Sequence, residues 1–293
     1  IDNPLLTPKI QNVYGANAAT DSQGNVTSLD LNGWGDKITN RSADNLVLKA
    51  PLDNTQFGAG ATHDVYLRNY ANDDVKDFFR TGVTTNNSIS VSGGTGKLRS
   101  YFSYANAHSN GMLKNNSYNR NTISVRVSYN FFDRLNVEAS VNYVNAVTRN
   151  RPGGGTVGNP IYHMYMTPRN VDMGYYKNNY VTADGKWNSN LLRQYVSNGN
   201  GGWDWPFLVA RNNNPYWLMN MNSGKQSDDR IYGYVSGNLT IIDGLTLQAR
   251  LGIDRSRYVS ESKRYATTFL PATMDDYGHY WNSNDNVNDI YTD

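Results

Sequence analysis

Residues 119–146 alternate apolar and polar side chains, turn tightly, and alternate again, a pattern that few folds accept at this length. Along Asn119–Asn130, Ile123, Val125, Val127 and Tyr129 share one parity, and Thr122, Ser124, Arg126 and Ser128 share the other. Beyond the Phe131–Arg134 turn, Leu135, Val137, Ala139, Val141 and Tyr143 alternate with Asn136, Glu138, Ser140 and Asn142. Successive strand side chains point to opposite faces, so each run predicts a strand with one apolar and one polar surface. A second pair repeats the pattern. Ile231, Val235, Leu239 and Ile241 alternate with Tyr232, Tyr234, Ser236, Asn238 and Thr240. Past Asp243-Gly244, Leu245, Leu247, Ala249, Leu251 and Ile253 alternate with Thr246, Gln248, Arg250 and Asp254. Each run spans about twelve residues, against roughly 5–6 in an ordinary strand, and that is enough to cross a bilayer at a tilt.

The placement of charge sharpens the reading. Arg126, Glu138, Arg250 and Asp254 all take the polar parity. Asp229, Arg255 and Arg257 take the other and read as strand ends, where a charge reaches headgroups or water. A charge facing lipid at mid-depth costs roughly 2–4 kcal/mol, so this sorting is what a membrane barrel requires. A soluble sandwich also alternates, but its strands are shorter and more evenly spaced. The expected fold class is all-β: part of a transmembrane antiparallel β-barrel with long extracellular loops and about six long strands.

Composition fits a barrel. Hydrophobic residues make up 38 % and mean hydropathy is −0.65. No run of about 18 apolar residues is present to make a transmembrane helix. A barrel hides its apolar content in alternation, so the low average is no objection. The 22 Tyr against 8 Phe suit interfacial girdles and aromatic binding surfaces. A net charge of +2 supplies no basic stripe for nucleic acid. With no cysteine, disulfides and thiolate metal sites are excluded.

The chain divides by composition into five stretches. Residues 1–71 are rich in Asn, Asp and Gly and read as loops. Residues 72–146 hold a short helix, with Val75, Phe78 and Phe79 on its apolar face, and then barrel strands that include a hairpin across Gly93-Gly94-Thr95-Gly96. Residues 147–228 form a long extracellular loop, with a short helix after Asn159-Pro160 and a possible hairpin at Ala183-Asp184-Gly185. Residues 229–257 are a barrel hairpin, and 258–293 a closing loop. Short turns on one rim and long connections on the other are the outer-membrane pattern, with the long side extracellular. About six strands cannot close a barrel, and no signal peptide precedes Ile1, so the chain is expected to be a fragment of a larger exported protein.

The run NDDVKDFFRTGVTTNNSISVSGGTGKLRSYFSYANAHSNGMLKNNSYNRNTISVRVSYNFFDRLNVEASVNYVNA at Asn72–Ala146 resembles the SusC/RagA family of TonB-dependent outer-membrane transporters. Its DFFRTG element, its N-x-S-x-S-G-G strand and its G-x-L-K-N-S-Y-x-R-like loop occur in family order. A second stretch, NPYWLMNMNSGKQSDDRIYGYVSGNLTIIDGLTLQARLGID at Asn214–Asp254, is similar, and PKIQNVYGANAATDSQGNVTSLDLNGWG at Pro8–Gly35 more weakly so. The resemblance implies an importer of glycans or peptides in the outer membrane of a Gram-negative bacterium. It also implies a SusD-like surface lipoprotein closing the extracellular mouth, and energy from the inner-membrane TonB complex acting through an N-terminal region. Family barrels have about 22 strands around a plug. Neither the plug nor the TonB-contact segment is present in these residues. No cofactor and no enzymatic chemistry are implied. The rival readings are a passive porin-type barrel and a soluble β-rich binding or adhesive module.

Other motifs carry less. Gly153-x-Gly155-x-x-Gly158 has the letters of a dinucleotide fingerprint but no βαβ unit around it, and Pro160 follows at once. Gly96-Lys97 lacks the Ser/Thr and the first Gly of a P-loop. His63, His108, His163 and His279 have no ligand spacing and read as solvated loop residues, so no metal site is assigned. Asp285, Asp289 and Asp293 could offer oxygens to calcium, but the glycine and terminal glutamate of an EF-hand are missing. The aromatic cluster Trp203, Trp205, Phe207, Tyr216 and Trp217 stands out within the long loop. Trp203, Asp204, Trp205 and Trp217 combine flat rings with a carboxylate and are the candidate substrate-binding residues. The alternative is that these rings form a small core holding the loop together.

Overall fold

The computed structural model describes residues 11–20, 22, 26–30, 34–35, 37–38, 45–51, 62–68, 71, 74–153, 158–181, 190–192, 196–197, 203–204, 212–265 and 278–293. In chain order the elements are β1 (Asn17–Thr20), β2 (Val26–Asp30), β3 (Asn45–Pro51), β4 (Thr62–Arg68), α1 (Asp74–Phe78), β5 (Val83–Gly94), β6 (Leu98–Asn110), β7 (Ser117–Phe132) and β8 (Leu135–Arg149). Then come α2 (Pro160–Met166), α3 (Met173–Asn178), β9 (Asn190–Leu192), β10 (Val196–Ser197), β11 (Trp203–Asp204), β12 (Asn212–Asn213), α4 (Pro215–Met221), β13 (Ser223–Ile242), β14 (Leu245–Arg264) and β15 (His279–Thr292). They form two units. The first comprises Ile1–Phe79, Pro152–Asn222 and Arg264–His279, and the second Arg80–Arg151, Ser223–Lys263 and Tyr280–Asp293.

The second unit is one antiparallel sheet of seven strands in the order β15-β14-β13-β8-β7-β6-β5. Its strands run to 20 residues, well beyond the usual strand. Register is continuous except for slips at Asn130/Phe132 and Thr240/Ile242, both beside turns. At Asp243-Gly244 the glycine has φ +88, a left-handed conformation that favours glycine, in a turn whose register slips at Thr240/Ile242. Cross-strand partners put Val91, Phe102, Val125, Val141, Gly233 and Ile253 in one row, so the apolar parity of every strand falls on the same face.

The sheet has one strand more than the six expected from alternation, and it falls in the supposed closing loop 258–293. Strand β15 was hidden because Asn and Asp have low strand propensity and its apolar residues fall on both parities. Backbone pairing holds it: Arg250 and Asp293 exchange N–H···O bonds of 3.0 Å each way, the signature of a closely paired antiparallel position. Strand β8 also runs on to Arg149, and β13 starts at Ser223, both beyond the limits set by apolar residues alone.

The first unit corrects the reading of residues 1–71 as loops, since the hairpins β1–β2 and β3–β4 lie there. Strand β4 extends its pairing through an isolated Leu67–Val171 bridge. Helix α1 forms where expected, with Val75 and Phe78 buried. Helices α2 and α4 start alike. Asn159 and Asn214 accept from the N–H of Ile161 and Tyr216, each at 3.0 Å, and a proline occupies the first helical turn. An Asn cap followed by Pro fills one orphan amide and removes another, which lets helices this short begin cleanly. The core of this unit includes Leu67, Met164, Val171, Met173, Tyr176, Trp217 and Leu218. The possible hairpin at residues 183–185 lies outside the described residues.

Candidate functional site

The sheet's two faces differ in chemistry, and the contrast is the main functional feature of the second unit. On the polar face, Glu138 of β8 accepts a hydrogen bond from the Tyr234 hydroxyl of β13, and Arg126 Nε of β7 lies 3.9 Å from it. The Arg250 guanidinium of β14 sits over the Tyr234 ring at 4.8 Å and reaches the Asp293 carboxylate at 4.0 Å. One step along, Arg230 grips Asp254 through two bonds, Nε–Oδ1 at 2.9 Å and Nη2–Oδ2, and covers the Tyr232 ring at 4.9 Å. Asn136 donates to Ser128 Oγ at 3.0 Å and to Asn130 at 2.6 Å. This surface mixes guanidinium, phenol, carboxylate and amide groups. Arg126 and Arg230 keep 58 % and 50 % of their side chains accessible for further partners.

The opposite face is apolar through the middle of the sheet. Ile89 and Val91, Phe102, Val125 and Val127, Val141, Ile231 and Val235, and Leu247, Leu251 and Ile253 are all exposed there. Along β8 the apolar stretch runs from Leu135 to Tyr143, eight residue steps. At about 3.3 Å per residue this is about 26 Å of strand, or about 20 Å of depth at a tilt of about 40°. That approaches the lipid-facing belt of an outer-membrane barrel, about 25 Å tall. Tyr129 and Phe131 pack edge to face at 4.8 Å beside the turn end, and Tyr104 and Tyr143 border the other end. Asp229, Arg255 and Arg257 prove not to be strand ends: all three lie inside β13 and β14, Arg255 on the last apolar row with Ile231 and Tyr143, and Asp229 and Arg257 on the row just past it.

In the first unit, the residues singled out as substrate-binding do not come together in what is described. Trp203 and Asp204 form β11 and pair with Ser197 and Val196 of β10. Trp205 and Phe207 lie outside the described residues. Trp217 is wholly buried in α4, edge-on to Tyr265 at 6.3 Å, so its indole packs the interior and presents no open face. Tyr216 likewise packs edge to face on Phe78 at 5.2 Å.

What sequence reasoning missed in this unit is a buried polar framework. Asn170, fully buried, accepts from Ala16 N–H at 2.6 Å and donates back to its carbonyl at 3.2 Å. It lies so close to Gly15 that a Cβ there would collide with it. Buried Arg68 is paired with Asp172, which also caps α3 by accepting from Tyr175 N–H at 3.1 Å. Tyr66 and Tyr175 stack beside this pair at 3.8 Å. Burial works against the Asp172 carboxylate, but the Arg68 guanidinium and the Tyr175 and Gly174 amides outweigh it and hold its pKa below the ordinary range. Arg68, Asn170 and Asp172 lie in no motif that marks them, so no sequence signal pointed to this framework.

The minor motifs find no site. Among the described residues no group of three His, Cys, Asp or Glu is placed to hold a metal. His163 is buried in α2, contrary to its reading as a solvated loop residue. Asp285, Asp289 and Asp293 lie along β15, where four residues of strand separate neighbours by about 13 Å, too far to share an ion.

No protein-family model matches the chain, and no curated protein matches it. Solved structures do. A chain of the RagAB peptide transporter aligns at 22 % identity and TM-score 0.50, over 76 % of this chain and 23 % of that one. Chains of the RagAB peptide importer in the 'open-open' and 'closed-closed' states align at 18 % identity, with TM-scores of 0.55 and 0.54. These cover 97 % and 94 % of this chain but 32 % and 31 % of theirs. The chain therefore spans under a third of the length of the structures it matches. The likeness agrees with the motifs at Asn72–Ala146, and it establishes the architecture: in fold, the chain is a SusC/RagA-like segment of antiparallel β-barrel.

Proposed function

We propose that the chain is part of the barrel wall of an outer-membrane importer. The observation that supports this is the segregation of faces across six adjacent strands of the sheet. A soluble protein rarely leaves a contiguous apolar face of this extent open to water. Lipid against that face and a polar lumen against the other satisfy both surfaces. The likeness to RagAB structures supports a transport role with peptides or glycans as cargo and a SusD-like lipoprotein over the extracellular mouth. TonB-linked energy, rather than passive diffusion, is the drive proposed with it, on the resemblance of the motifs at Asn72–Ala146. On this reading the long connections, including 147–228, face the extracellular side. Trp203, Asp204 and Trp205 are then the loop residues proposed to meet cargo, while Trp217 holds the loop unit together.

The test is cargo capture by the full-length protein with its lipoprotein. Replacing Trp203 and Trp205 with Ala should weaken peptide or oligosaccharide binding while leaving limited proteolysis of the loop unchanged. Unchanged affinity with faster nicking would assign both residues to loop packing. Free, TonB-independent diffusion of small solutes through the protein would favour the porin reading.

A further inference from the structure

The outward face changes character beyond the apolar stretch: Arg149, Lys225, Arg255, Arg257 and Lys263 stand there against the acids Asp229 and Glu261. Ile253 is followed on the same face of β14 by Arg255 and Arg257, both exposed. Farther along, Lys225 of β13 stands directly opposite Arg149 of β8, again exposed and outward. Glu261 flanks Lys225 on its other side and Asp229 stands opposite Arg257, but five cations face these two acids, so the band keeps a net positive charge suited to an anion from outside. The acids of the same rows are already committed. Asp229 accepts from the Tyr143 hydroxyl at 2.9 Å and Asn145 Nδ2 at 2.7 Å, and Glu261 pairs with Lys263 at 2.8 Å.

Strand β15 shows the same bias independently. Its pairing of Asp293 with Arg250 puts Asp285 and Asp289 on the polar face, and Asn284, Asn286 and Asn288 on the outward face beside the arginines. The strand is rich in acids, yet none of them is turned outward next to Arg255 or Arg257. Arg257 Nε donates to Asn284 at 3.2 Å, which fixes the guanidinium along the sheet surface.

Resting on the membrane reading above, we infer that Arg149, Lys225, Arg255 and Arg257 form a belt that binds the phosphates of outer-leaflet lipid headgroups. The belt is continuous with the lipid-facing surface and lies at the end remote from the short turns. Guanidinium groups match phosphate oxygens in a bidentate fork, and long cationic stems lie along apolar surface while their heads reach the interface. Outward asparagines supply further donors without repelling an anion.

The experiment follows thermal unfolding of the full-length protein in a zwitterionic detergent during titration with diphosphoryl lipid A, its dephosphorylated analogue, or inorganic phosphate. Diphosphoryl lipid A should raise Tm, and the other two should not. Arg255→Gln with Arg257→Gln should require about tenfold more lipid for the same rise, and the double Lys variant should keep part of the response. Equal responses in wild type and the Gln variant would overturn the belt, as would equal effects of the dephosphorylated lipid or of free phosphate. Insertion into phosphatidylcholine vesicles separates the two layers of the argument. Protein that inserts there but does not respond to diphosphoryl lipid A refutes the belt alone, whereas protein that inserts into no vesicle refutes the membrane reading with it.

Discussion

Val127 occupies the centre of the apolar face, and an arginine there is the sharpest perturbation of the proposed wall. The register places Val127 opposite Ala139, in a row with Val235 and Leu251. Ala139 is midway between Leu135 and Tyr143, the two limits of the apolar stretch on β8. An outward arginine at this depth should cost about 2–4 kcal/mol, which lowers the ratio of inserted to uninserted protein by roughly 30- to 900-fold. One residue along, Ser128 faces the polar side opposite Glu138, so Ser128→Arg gains a carboxylate neighbour and should cost less than about 1 kcal/mol. Depth provides a second control: Asn121→Arg, three rows nearer the extracellular rim, should cost about 0–1 kcal/mol. Urea unfolding of the full-length protein from lipid vesicles, read by heat-modifiable migration, measures all three. If Ser128→Arg were as damaging as Val127→Arg, or if the cost did not fall towards Asn121, the assignment of faces would be wrong.

Further outcomes follow from the same geometry. Leu251→Arg should be more damaging than Leu247→Arg, because Leu247 pairs with Leu239 on the row of Leu135 at the edge of the apolar stretch; the same unfolding assay decides it. Trp217→Ala should destabilise the first unit by about 3–5 kcal/mol through cavity formation, measured by hydrogen exchange in α4. The Asp172 carboxylate has a depressed pKa, so its contribution is complete near neutrality and is lost as pH falls below about 4. Protection of the α3 amides should fall over that acid range in the wild type and show no such step in Asp172→Asn. Gly233→Ala should cost about 1–3 kcal/mol, because an added Cβ would collide with the Ser140 carbonyl of the adjacent strand, and vesicle unfolding again reports it.

The strands that sequence revealed are those in which apolar and polar residues alternate. β7, β8, β13 and β14 each bury nothing on one side and must therefore distinguish lipid from water residue by residue. Strand β15 escaped because its apolar residues fall on both parities, Tyr280 and Ile290 on one and Trp281, Val287 and Tyr291 on the other, with Asn and Asp between them. Hairpins β1–β2 and β3–β4 escaped for another reason: they are short, and tertiary context rather than periodicity sets them. At the proposed cargo site, sequence identified an aromatic cluster but could not tell a presented ring from a packed one. Trp217 follows an Asn-Pro cap on a helix whose first five residues are all buried, which makes it core. The charges at 229, 255 and 257 were visible as exceptions to parity. Their meaning needed the register, which shows them gathered on the last apolar row and the one just beyond it.

The central claim is that odd-numbered residues of β7 face lipid and even-numbered ones face a polar lumen. These residues hold no cysteine, so a single thiol introduced here, with any cysteine elsewhere in the full-length protein replaced, carries a nitroxide label without background. Labels placed one at a time from Thr122 to Tyr129 in vesicle-embedded protein should alternate with a period of two. Those at 123, 125, 127 and 129 should be accessible to oxygen dissolved in lipid and shielded from a water-soluble nickel chelate. Those at 122, 124, 126 and 128 should show low oxygen accessibility. Uniform accessibility along the strand, or chelate contact at the odd positions, would contradict the account.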